Sequence, residues 1–279
     1  MDIDEELGRL RALERTTLAA CKVGADGRSL RSVLDPEYMR TRTSVVDTFA
    51  RVVLEYGLWW ETVEYAIAWT DAYHARNKLV GRLPLYLVGV ASLSLAIKYT
   101  TLLRFRLDEL VVKWMHHLDT RWGAVSPPHG VEFTAAQVSA AEFCLAAVLE
   151  WKMSAALPSS FLEAFCVKGI RASEDEGWDT LGAEQRVWQT ARAVCKLGTF
   201  SGLSCMHGDS ILAAASIVTA RCLSDIEPSW PAGLQERFGL DEATIAPCVL
   251  ELTRAHSMPS QRLVAHGRCD VSLLGPRTA

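Results

Sequence analysis

The chain has 279 residues, 49% of them hydrophobic, with 29 basic and 33 acidic side chains and a net charge of −4. One compact core rarely fills that length, so two domains are expected. The near-neutral balance excludes the broad basic footprint of a nucleic-acid binder. No apolar run reaches the roughly 20 residues that cross a bilayer.

The opening MDIDEEL is acidic and lacks the basic region and apolar core of a signal peptide. The eight cysteines (21, 144, 166, 195, 205, 222, 248 and 269) include no CxxC pair, and most sit in apolar helical pattern. They read as buried thiols in a reducing compartment, either nucleus or cytoplasm.

Ile3, Leu7, Leu10, Leu13 and Leu18 recur among charges, which predicts an amphipathic helix over 3–20. Its apolar stripe is too narrow to fold alone. With the linker through residue 38, it forms an extension that docks elsewhere. A helix over 40–56 follows, with Val45, Phe49, Val52 and Tyr56 on one face and Gly57 just past its end. The next, over 60–76, turns Val63, Ala66, Ile67, Thr70 and Tyr73 inward. The third, Leu83 to Tyr99, is apolar on nearly every side and therefore central. As a helix it runs about 25 Å and closes on a single cation, Lys98. A fourth over 107–118 carries Leu110, Val111, Trp114 and Leu118. Thr134 and Gln137 form a capping-box pattern that opens a fifth over 135–153.

Pro158 marks a break, and Ser160 with Glu163 reads as a second capping box. Helices are then expected over 184–197, 210–223, around Leu234, and over 241–256. The second half repeats the plan of the first, and no alternating strand pattern occurs. The predicted fold is all-α: an N-terminal helix and linker (1–38), two tandem five-helix domains (39–155 and 156–258), and a tail (259–279).

Four charges lie in or against apolar faces, where an unpaired ion is costly: Arg42, Asp71, Lys98 and Glu142. Two structural salt bridges or snorkelling edges would account for them. Leu87, Ala91, Ser94 and Lys98 share one helical face. Its small side chains would let another backbone come close, and a lysine and a glutamate beside it could bond a partner's helix terminus. Candidates for catalysis are weak. His116 and His117 point about 100° apart on a helix, and with His129 they lack metal-ligand spacing. There is no GxGxxG, P-loop or GxSxG. No cofactor, metal or catalytic residue is expected.

The constellation resembles the cyclins. RTSVVDTFARVV resembles the first helix of a cyclin box, with Arg42 and Asp47 at the family's spacing. LWWETVEYAIAWTDAY resembles the second and carries Asp71. LYLVGVASLSLAIKY resembles the third, matching Leu87 and Lys98, and FTAAQVSAAEFCLAAVLEWKM the fifth, matching Glu142. HGDSILAAASIVTA fits the third helix of the second box. The resemblance implies two tandem cyclin boxes. It implies an internal salt bridge between Arg42 and Asp71. Lys98 and Glu142 would grip the C helix of a cyclin-dependent serine/threonine kinase, with Tyr99, Ala146, Leu149 and Met153 as apolar neighbours. The chain would be a non-catalytic activating subunit in a heterodimer, with no nucleic-acid or membrane partner, and its N-terminal helix would also touch the kinase.

The sequence departs from the family at several points. Ala72 follows the aspartate where arginine is usual, and Thr100 and Thr101 stand where two acids are usual. In the substrate-docking patch, Thr41, Thr48 and Tyr86 replace methionine, tryptophan and glutamine, beside Val45 and Arg51. Arg31 to Leu34 (RSVL) meets the minimal destruction-box pattern. The alternatives are a cyclin-fold adaptor of the transcription machinery without a kinase, and an all-helical enzyme using the His116, His117 and His129 region.

Overall fold

In the computed structural model the described residues are 2–20, 34, 36–76, 85–102, 104–119, 133–173, 175, 178 and 182–257. They form twelve helices and no extended strand. These helices fall into two compact units: the described residues of 32–155, and those of 1–31 with 156–259. His129, Arg31 and the tail from 259 lie outside the described residues. Among the described residues no helix is long and apolar enough to cross a membrane.

The first unit holds α2 (Pro36–Glu55), α3 (Trp60–Arg76), α4 (Leu85–Thr100), α5 (Leu107–Asp119) and α6 (Ala135–Val148). The most apolar helix, α4, is also the most central: ten of its residues from Leu87 to Ile97 are buried, and both α3 and α6 pack on it. Gly89 permits the closest approach. A Cβ there would sit 2.9 Å from two ring atoms of the buried Trp114 of α5. The small-residue face of Leu87, Ala91 and Ser94 is therefore core, closed against its own neighbours rather than open to a partner. Gly57 ends α2 at φ 64°, where Leu58 N–H donates to Val53 O (2.9 Å) and Gly57 N–H to Leu54 O (3.0 Å). That pair of bonds is the Schellman motif, and glycine takes its left-handed position at no steric cost. Thr134 and Gln137 make both bonds of the capping box before α6.

The second unit holds α1 (Ile3–Ala20), α7 (Pro158–Lys168), α8 (Ala183–Ser201), α9 (Leu203–His207), α10 (Asp209–Cys222), α11 (Ala232–Phe238) and α12 (Glu242–Ser257). One core gathers Leu7 and Leu10 of α1 with Phe161 and Phe165 of α7, Ile217 of α10 and Phe238 of α11. The extension predicted over 3–20 thus docks on the second unit. Pro158 follows the break between the units and is the first residue of α7, where its missing N–H costs nothing. Ser160 and Glu163 accordingly lie inside the helix, and Leu157 precedes it without a side-chain cap. A five-residue helix, α9, bracketed by Gly202 and Gly208, is an addition the periodicity did not predict.

Arg221, fully buried in α10, organises the loops of this unit. Its guanidinium donates to Ser229 O (3.1 Å), Ile170 O (2.7 Å), Pro228 O (2.9 Å) and both carboxylate oxygens of Asp175. Five bonds match the five N–H groups of the side chain, so burial leaves none without a partner.

Candidate functional site: a lysine–glutamate pair at an aromatic rim

Arg42 of α2 and Asp71 of α3 meet inside the first unit. Nε donates to Oδ1 and Nη2 to Oδ2, each at 3.0 Å, with side-chain exposures of only 3% and 4%. Tyr38 O–H also donates to Oδ1, and its ring stacks on His74 at 4.1 Å. Such a site ties the start of α2 to the middle of α3. Water does not reach it, so its role is internal.

Lys98 and Glu142 meet as well, but at the surface. Lys98 Nζ lies 2.7 Å from both oxygens of Glu142, with side chains 47% and 10% exposed. The last turn of α4 presents the lysine, and the middle of α6 the glutamate. Each therefore has a partner within the chain before any other molecule arrives. Two of the three ammonium N–H groups are used here, so one donor and further carboxylate lone pairs remain for a partner's backbone.

The apolar surroundings differ from the sequence expectation. Ala146 and Leu149 are buried in the core of the unit. Met153 is half-buried, and its carbonyl accepts from Trp69 Nε1 (3.1 Å). Of the expected neighbours only Tyr99 is well exposed. Its ring packs edge-on against Tyr65 (4.9 Å) and Trp69 (5.6 Å). Two further exposed aromatic residues, absent from the sequence reading, pack on each other: Phe143, next to Glu142 in the chain and 64% exposed, and Trp151, 60% exposed, with ring centroids 5.4 Å apart. Leu102 beyond α4 is fully exposed.

Trp151 reaches this place because α6 stops earlier than predicted. The helix ends at Val148 in a Schellman pattern: Trp151 N–H donates to Ala146 O (2.8 Å) and Glu150 N–H to Ala147 O (2.9 Å). Glu150 and Trp151 take φ of 55° and 60°, the left-handed region that side chains avoid. Each such residue costs on the order of 1–3 kcal/mol, and such outliers cluster at functional sites. No glycine or proline marks this end, so periodicity ran past it. Phe143 was legible in principle: it falls off the stripe Val138, Ala141, Leu145.

The residues of the expected substrate-docking patch lie on α2 and at the start of α4. Val45 and Thr48 are buried, and Thr41 and Tyr86 are half-buried. Arg51 pairs with Asp47 at 2.7 Å. Of the three histidines considered, His116 and His117 lie on α5 and His129 lies outside the described residues. His117 Nε2 lies 2.9 Å from Glu55, which also pairs with Lys113, and no metal-binding group of side chains occurs among the described residues. Thr100 meets Thr62 Oγ1 at 2.8 Å and its own helix at Ala96 O.

Comparison with known proteins defines the class. A family model for the N-terminal domain of cyclins matches residues 28–154, and one for the C-terminal domain matches 156–268. Cyclin-B1-3 of Arabidopsis thaliana is 26% identical over 245 residues, covering 85% of this chain and 52% of the relative. G2/mitotic-specific cyclin-1 of Antirrhinum majus is 25% identical, covering 75% and 38%. The chain thus spans about half, or less, of the length of these relatives. Among solved structures, a viral cyclin from herpesvirus saimiri aligns with TM-score 0.61 at 14% identity, over 89% of this chain and 97% of that one. A chain of the CAK complex of Chaetomium thermophilum aligns with TM-score 0.57 at 12% identity, over 96% and 79%. Two tandem all-helical boxes matching these models make the chain a member of the cyclin family. Cyclins are regulatory, non-catalytic proteins, and this chain is a cyclin-type regulator.

Proposed function

We propose that the chain is the activating subunit of a heterodimer with a cyclin-dependent serine/threonine kinase, acting in the cell cycle in the nucleus or cytoplasm. The observation that carries this reading is the Lys98–Glu142 pair, its lysine half-exposed, together with the exposed aromatic residues Tyr99, Phe143 and Trp151. A kinase C helix laid here would bury its apolar side on the aromatic rings. Its terminal backbone groups would find the lysine donor and the glutamate acceptor. Held there, the helix stays inward, completes the kinase's own lysine–glutamate ion pair and favours an ordered activation loop. The cyclin supplies no chemical group to phosphoryl transfer. The name of one relative, G2/mitotic-specific cyclin-1, supports the cell-cycle setting.

The test is a Lys98→Ala, Glu142→Ala double variant, followed by co-purification with the kinase and measurement of its activity. Hydrogen bonds to charged groups contribute about 1.5–3 kcal/mol each. Losing two should weaken the complex roughly a hundredfold or more. An undiminished complex with undiminished activity would sink the assignment.

A further inference from the structure

The N-terminal helix is held on the second unit by a polar latch whose chemistry is switchable. Leu7 and Leu10 enter the core, Asp4 pairs with Lys168, and Arg11 donates to the carbonyl of Phe238. At the far end Glu14 reaches the start of α10. Its Oε1 accepts the backbone N–H of Ser210 at 2.9 Å, and its Oε2 accepts the Ser210 hydroxyl at 2.8 Å. The α10 helix makes no side-chain cap of its own. Gly208, at φ 93°, leaves the space: a Cβ there would meet Glu14 Oε1 at 3.0 Å. A carboxylate from a residue 196 positions away thus takes the place of an N-cap.

We propose that Ser210 is a phosphorylation site and that the Glu14–Ser210 contact is the latch it opens. The step is phosphoryl transfer from a nucleoside triphosphate by a serine kinase. Ser210 Oγ bonds the terminal phosphorus, the bond to the departing diphosphate breaks, and the hydroxyl proton passes to the kinase's base. The product lacks the proton that Oγ donates to Glu14. It also sets a group of charge about −1.5 to −2 against the Glu14 carboxylate. The phosphate has its own acceptors for the N-terminal N–H groups of α10, so it replaces Glu14 as the cap. The hydroxyl is half-buried under Glu14, so a kinase gains full access as α1 lifts, and the modification then holds the lifted state. Among the described side chains of α1, Leu7 and Leu10 are the only fully buried anchors, few enough for one lost polar contact to shift its docking. This latch does not depend on the kinase-activation reading.

The experiment uses the full chain with phosphoserine incorporated at 210, followed by hydrogen exchange of the α1 amides, with those of α12 as internal reference. The expected result is exchange in α1 at least about tenfold faster, with α12 unchanged. Glu14→Gln in the phosphorylated chain should restore protection, because the amide removes the charge and its N–H can donate to the phosphate. Unchanged or slower exchange in α1 would overturn the proposal. The second case would mean that Arg11 or Arg15 captures the phosphate and tightens the helix. Failure of the glutamine variant to restore protection would also overturn it, because the loss would then be a general disturbance of α10.

Discussion

The Arg42–Asp71 and Lys98–Glu142 pairs look alike in the sequence, yet the structure gives them different energetic roles. Consider Asp71→Ala. The carboxylate holds Arg42 bidentately at 3.0 Å and also accepts from Tyr38, and neither ion is more than 4% exposed. Its removal leaves a buried guanidinium without its counter-ion and a buried hydroxyl without its acceptor. Breaking a buried pair from one side costs about 3–5 kcal/mol. At a urea slope of about 2 kcal/mol per M, the midpoint falls by about 1.5–2.5 M. Lys98→Ala is the control. Its side chain is 47% exposed, so the same deletion should cost at most about 1 kcal/mol, or less than about 0.5 M. Urea unfolding followed by circular dichroism, with hydrogen exchange in α2 and α3 to localise the loss, measures both. Equal midpoints for the two variants would refute the reasoning that burial, not pairing as such, separates the sites.

Other outcomes follow from particular contacts. Gly89→Ala would drive a methyl to within 2.9 Å of Trp114, a buried ring with little room to move, and should cost about 1–3 kcal/mol in the same unfolding assay. Trp151→Gly should weaken kinase co-purification while leaving the urea midpoint unchanged or raised, because glycine relaxes a φ of 60° and the lost ring is mostly in water. Glu55 is held below its ordinary value of 4.5, first by its bond from Lys113 and further by His117. A carboxyl depressed in the folded state stabilises it above its unfolded value and loses that contribution as pH falls through the folded value. The stability gap between the wild-type chain and Glu55→Gln should therefore be full above about pH 5 and close as pH falls below 4.5. Because the side chain is 41% exposed, the gap should be no more than about 1 kcal/mol. A gap that widens in acid would contradict the assigned contacts.

How far the sequence could be read depended on whether a feature has a local chemical signature. The bounds of α3 and the starts of α5 and α6 follow from periodicity, Thr134 and Gln137. The end of α2 follows from Gly57. Arg42, Asp71, Lys98 and Glu142 stood out because each interrupts an apolar face. The end of α6 left no mark, because the left-handed positions are filled by Glu150 and Trp151 rather than glycine. Ala146 and Leu149 have the spacing of rim residues, but only the packing of α6 on α4 decides that they face inward. Arg221 and Asp175 lie 46 residues apart, one of them in an acidic loop that reads as solvated surface. Long-range pairs of this kind carry no periodicity to detect.

The docking of α1 has a consequence for how the protein is made. This helix leaves the ribosome before its latch partner Ser210, which is synthesised 196 residues later. At about 5–20 residues per second, Leu7 and Leu10 wait roughly 10–40 s for their core. Residues 32–155 are complete and free to fold well before then. During that interval an amphipathic helix with an unburied stripe is a natural target of a chaperone, and the second unit closes its core around a segment made well before it.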